Sequence, residues 1–98
     1  MNDKLRNDET DKLFQGILKL ENIDECYAFF EDLCTVHEIQ ALAQRLEVAR
    51  MLRDKVTYAT IAAKTGASTA TISRVNRCLN YGDGGYETVL ERLGENKK

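Results

Sequence analysis

Apolar side chains recur at three- and four-residue steps along most of the chain, and few strong breakers interrupt them. Proline is absent, and the one glycine-rich stretch is Gly82-Asp83-Gly84-Gly85. The pattern predicts an all-α protein of about six helices. After a polar start, Leu13, Phe14, Ile17, Leu18 and Leu20 mark a first helix, and Asn22-Ile23-Asp24-Glu25 matches a capping box that opens a second one. That second helix carries Cys26, Phe29, Phe30, Leu33 and Cys34, so residues 9–34 hold two N-terminal helices. Another box, Thr35-Val36-His37-Glu38, opens a longer helix over about 36–53. Ile39, Leu42, Leu46 and Ala49 form one stripe on it and Val48, Met51 and Leu52 another, which implies burial on two sides.

The next segment is the most informative. Thr57 is placed to cap a short helix that stops at Gly66, and Ser68 to cap another that runs to about Tyr81. Two short capped helices joined by a three-residue corner predict a helix-turn-helix over about 57–81. Ala62 is small where the helices cross, Gly66 permits a left-handed turn, and Ile61, Ile72, Val75 and Leu79 fill the wedge between them. At about 100° per residue, Ala70, Ser73, Arg74 and Arg77 fall on the opposite side. A small, polar and cationic outer face suits the DNA major groove. Ser68, Thr69, Ala70 and Thr71 are the base-facing candidates; Arg74 and Arg77 reach phosphate or guanine, and Thr57, Tyr58 and Ser73 offer hydroxyls to phosphates. Tyr86, Val89, Leu90 and Leu93 then predict a last helix over about 86–94, ahead of a polar tail that ends in Lys97 and Lys98.

Charge sharpens the picture. The chain has 98 residues and a net charge of −2, which by itself discourages a nucleic-acid partner. Its distribution reverses that impression: residues 1–49 carry five basic and eleven acidic side chains, whereas residues 50–80 carry six basic and one acidic. The positive charge lies on the helix-turn-helix. Three cysteines without CxxC spacing read as small buried hydrophobes, and His37 has no neighbouring ligand at zinc spacing, so no metal is expected. With no nucleophile motif, phosphate loop or paired carboxylates, no catalytic residue is expected either. No apolar run is long enough to span a bilayer or serve as a signal peptide, which gives a cytoplasmic protein without a membrane partner. A helical interaction adaptor without DNA affinity is the competing reading.

Residues Leu33–Asn80 resemble the tryptophan-operon repressor family, nearest its YerC/YecD-like branch. The marks are Thr35-x-x-Glu38, Ala41-Leu42, Arg45, Leu52, Gly66-Ala67 and Ala70-Thr71-Ile72-Ser73-Arg74. The resemblance implies one helical DNA-binding domain, built as an intertwined homodimer whose N-terminal helices interlock. It also implies two reading heads on a palindromic duplex operator, with half-sites about 34 Å apart, and repression of amino-acid metabolism genes. In the family the corepressor tryptophan lies between two arginines that match Arg45 and Arg74. Thr35, Arg45, Arg74, Val75 and Cys78 are accordingly the candidate effector-pocket residues. Where the family has a glycine that leaves room for the indole, however, this chain has Val75, and Cys78 replaces a serine. The chain is also one residue shorter between Arg45 and Thr57. Tryptophan is therefore not the expected effector, no cofactor is expected, and any other effector is unspecified.

Overall fold

The computed structural model describes residues 4–95; Lys97 and Lys98 lie outside the described residues. Within them are six α-helices and no strand: α1 Asp8–Ile17, α2 Ile23–Leu33, α3 Val36–Arg53, α4 Tyr58–Thr65, α5 Thr69–Tyr81 and α6 Gly85–Glu95. The contacts divide the chain into two compact units, Met1–Ile39 and Gln40–Lys98.

In the first unit, side-chain caps set the helix ends. Asn22 Oδ1 accepts the Glu25 N–H at 2.9 Å, and the Glu25 carboxylate accepts the Glu21 N–H at 2.8 Å, one residue earlier than a standard box. The Thr35 box closes in both directions: the Glu38 N–H donates to Thr35 Oγ1 at 3.1 Å, and the Thr35 N–H to the Glu38 carboxylate at 2.8 Å. The backbone bond from Thr35, aided by its hydroxyl, holds the Glu38 carboxyl below its ordinary pKa. α1 also has a cap, which the sequence reading missed: Asn7 accepts the Thr10 N–H at 2.8 Å. Asp8, Glu9 and Asp11 then sit near the positive end of the helix dipole. The Phe29 and Phe30 rings meet edge to face with centroids 5.6 Å apart. Yet no residue of α1 or α2 is buried, and Phe14, Leu18, Ile23, Tyr27 and Leu33 remain exposed.

The second unit closes a core of its own. Val48, Ala49 and Met51 from α3, Ile61 from α4, Ala67 from the turn, Ile72 and Val75 from α5 and Leu90 from α6 form it. Leu46, Leu52, Val56, Ala62 and Tyr86 pack around it. Of the two stripes expected on α3, Leu42 stays exposed. The helix ends with paired bonds: the Val56 N–H donates to the Met51 carbonyl and the Lys55 N–H to the Leu52 carbonyl, each at 3.0 Å. The backbone passes through the left-handed region at Lys55, φ 65°, where such a motif ordinarily places glycine. Arg53 Nε meets Glu87 Oε1 at 3.0 Å and ties the end of α3 to α6.

One expectation is corrected. Cys26 and Cys78 are exposed and Cys34 is only partly buried; all three are free thiols. Cys26 lies on a helix with no buried residue, and Cys78 is exposed on α5, whose core contacts come from Ile72 and Val75; Leu79, expected to fill the wedge with them, is only half-buried. Among the described residues no helix is long and apolar enough to cross a membrane, and no group of His, Cys, Asp and Glu is arranged to hold a metal ion.

Candidate nucleic-acid interface

The candidate interface is built on α4, the turn Gly66–Ser68 and α5. Thr57 opens α4 by accepting the Thr60 N–H at 3.3 Å, with a 3.0 Å bond between the two hydroxyls. α4 stops at Gly66, whose φ of 74° is left-handed and whose N–H donates to the Ala62 carbonyl at 2.9 Å. Ser68 opens α5 in the same way as Thr57 opens α4: its Oγ accepts the Thr71 N–H at 3.1 Å and lies 3.1 Å from the Thr71 hydroxyl.

Two further residues fix the turn, and the sequence reading did not find them. The Thr65 hydroxyl donates to the Ile61 carbonyl at 2.7 Å and accepts the Ala67 N–H at 3.1 Å. Gln44 Nε2 of α3 donates to the Thr65 carbonyl at 3.1 Å. A threonine two places before an alanine in a tight corner is a local signal that a closer reading picks up. Gln44 gives none, because its partner is 21 residues away. Together these bonds occupy backbone groups that a bare turn leaves to water.

α5 is two-faced, as its periodicity predicts. Ile72 and Val75 are 1 % exposed and Leu79 is half-buried, whereas Ala70, Ser73, Arg74 and Arg77 all face out. Ser68, Thr69, Thr57 and Tyr58 are exposed as well. Thr71 differs: it is half-buried, and its hydroxyl is engaged with Ser68. The structure thus exposes nearly all the DNA-contact candidates on the one helix-turn-helix, with the Ser68 and Thr71 hydroxyls also serving the cap.

Ion pairing sorts the six cations of residues 50–80. Arg50 is held by Glu47 at 2.6 Å and Asp54 at 3.3 Å, and the hydrogen bond to Glu47 raises its pKa further. Arg53 is held by Glu87. Lys55, Lys64, Arg74 and Arg77 make no ion pair among the described residues. The local positive charge that remains uncompensated therefore belongs to the turn after α3, to α4 and to the outer face of α5.

The family model for the Trp repressor protein matches residues 8–94. The chain belongs to the Trp repressor family. Similar proteins include the uncharacterized protein YerC of Bacillus subtilis strain 168, 64 % identical over 93 residues that cover 95 % of this chain and 89 % of YerC. A crystal structure of a TrpR-like protein from Eubacterium eligens superposes with a TM-score of 0.92 at 62 % identity, covering 95 % of this chain and 96 % of that one. A Staphylococcus aureus protein provisionally assigned as a Trp repressor superposes with a TM-score of 0.91 at 56 % identity, covering 94 % of this chain and 92 % of that one. The six-helix Trp repressor fold is thus the fold of this chain.

The candidate effector residues are placed as follows. Thr35 is the cap of α3, with its hydroxyl and N–H bonded to Glu38. Arg45 is half-buried, Arg74 exposed and Val75 part of the core. Cys78 lines a groove of about 550 Å³ with Leu46, Gly82, Asp83, Gly85, Tyr86 and Val89; neither arginine nor Val75 lines it.

Proposed function

We propose that this member of the Trp repressor family is a sequence-specific DNA-binding transcriptional regulator, and that it acts by repression. It works as a homodimer in the cytoplasm. The two α5 helices enter successive major grooves of a palindromic operator, and bound protein blocks transcription. The observation that carries this reading is the division of α5. One side is locked into the core by Ile72 and Val75. The other presents Ala70, Ser73, Arg74 and Arg77 to solvent, with both arginines unpaired among the described residues. Small side chains let the helix approach base edges, and free guanidiniums replace phosphate counterions. The exposed apolar side chains of α1 and α2 support the homodimer, because water is a poor permanent neighbour for them.

The buried Val75 supports a regulator that is not governed by tryptophan, since its side chain fills space within the core. Genes of amino-acid metabolism are the proposed targets on the strength of the family alone.

A fluorescence anisotropy titration against duplex DNA at several salt concentrations tests the reading. Binding should weaken linearly in log–log form as salt rises, and Arg77→Ala should lower that slope by about 0.9 per bound subunit. Salt-independent or absent binding would remove DNA as the partner. Selection of fragments from genomic DNA then supplies the operator, and repeating it with added tryptophan should return the same fragments with the same yield.

A further inference from the structure

We propose that Lys55 is a phosphate-gripping residue of this DNA interface, kept as lysine at a backbone position that favours glycine. The inference rests on the DNA-binding reading above and adds a contact outside the helix-turn-helix itself. Lys55 is the one non-glycine residue with positive φ among the described residues. A left-handed conformation crowds the Cβ of an L-residue against the backbone, and glycine escapes that penalty. The hydrogen bonds of the motif do not call for a lysine. Its N–H and that of Val56 close the end of α3, bonds any non-proline residue makes with its backbone alone. The core contact of the motif comes from Val56.

What the lysine adds is its ammonium. Lys55 is exposed, makes no ion pair among the described residues, and stands two residues ahead of Thr57, the cap that opens α4. The contrast with its neighbours is informative. Arg50 and Arg53, on the last turns of the same helix, are each tied to carboxylates, whereas Lys55, just past the helix end, is not. It lines a polar groove of about 430 Å³ with Asn76 and Asn80 of α5, so it flanks that helix; Glu87 lines the groove too, but its carboxylate is taken up by Arg53. A strained backbone that carries an uncompensated charge beside a DNA-reading helix is a stability cost retained for contact with a polyanion.

The test separates backbone from charge. Lys55→Gly removes both the strain and the ammonium; Lys55→Gln removes only the ammonium. In thermal unfolding without DNA, at matched protein concentration, Lys55→Gly should melt a few degrees higher than the natural chain and Lys55→Gln should not. In anisotropy titrations against duplex DNA, both variants should bind more weakly on every sequence, each with a salt slope lower by about 0.9 per subunit. A natural slope in both variants would overturn the proposal while leaving the DNA reading intact. Absence of salt-dependent binding by the natural chain would instead sink both readings together.

Discussion

The two units of this small chain solve the burial problem differently. Residues 40–98 enclose their own core, with Val48, Ala49 and Ile61 fully buried. Residues 1–39 have helices just as well capped and just as amphipathic, yet α1 and α2 bury nothing completely, and Leu18 is 82 % exposed. Good capping and periodicity therefore specify a helix without specifying what covers it. The helix-turn-helix is completed by the core of its own chain, whereas the N-terminal helices carry apolar side chains that the single chain leaves exposed.

The sharpest way to break this contrast is to attack each unit at its strongest point. Ile61→Ala should cost about 4 kcal/mol, measured by denaturant titration, because it opens a cavity at a fully buried core position. A loss under 1 kcal/mol would mean that the second unit is not the self-sufficient core described. Leu18→Glu tests the opposite claim. Little inside the subunit touches that side chain, so its helix should persist by circular dichroism, while sedimentation should show a dimer about 100-fold weaker. A cost of about 2–3 kcal/mol is the scale for an apolar contact buried between subunits and then lost. An unchanged association state would take Leu18, the C-cap of α1, out of the proposed dimer interface.

The smallest effect concerns the Thr35–Glu38 cap at the start of α3. Glu38 has a lowered pKa in the folded chain, so its contribution to stability is present above the ordinary value of 4.5 and disappears as pH falls through the lowered one. Glu38→Gln should therefore be less stable than the natural chain at neutral pH. The difference should close progressively below about pH 4.5. A gap that persists in acid would assign it to packing and not to the carboxylate.

Much of this architecture was legible in the sequence because its signals are local. The boundaries of α3, α4 and α5 follow from Thr35-x-x-Glu38, Thr57, Gly66 and Ser68, each a residue whose chemistry satisfies or releases the backbone within four positions. The two faces of α5 followed from angular spacing alone. What escaped notice depended on the third dimension or on a missing cue. Lys55 hides a left-handed turn because glycine, its usual marker, is not there. The Arg53–Glu87 pair spans two helices and leaves no trace in spacing, so Arg53 counted toward the cationic patch that it does not join. Arg50 was readable in principle, since Glu47 and Asp54 lie at helical neighbour positions. Cysteine burial has no local signal because it depends on tertiary neighbours: α2, which carries Cys26, buries no residue, and Cys78 lies on the exposed part of α5.

If the proposed homodimer forms, a chain that leaves apolar surface open in this way is also a concentration sensor. Because α1 and α2 leave apolar surface for a second copy, the proposed two-headed grip forms in proportion to the square of subunit concentration, wherever that lies below the dissociation constant of the pair. Halving the supply of chain there lowers the paired species about fourfold. On the proposed function, gene dosage, translation rate and proteolysis thereby become regulatory inputs, and a helix-turn-helix with Val75 already in its core would be switched by abundance without any small molecule.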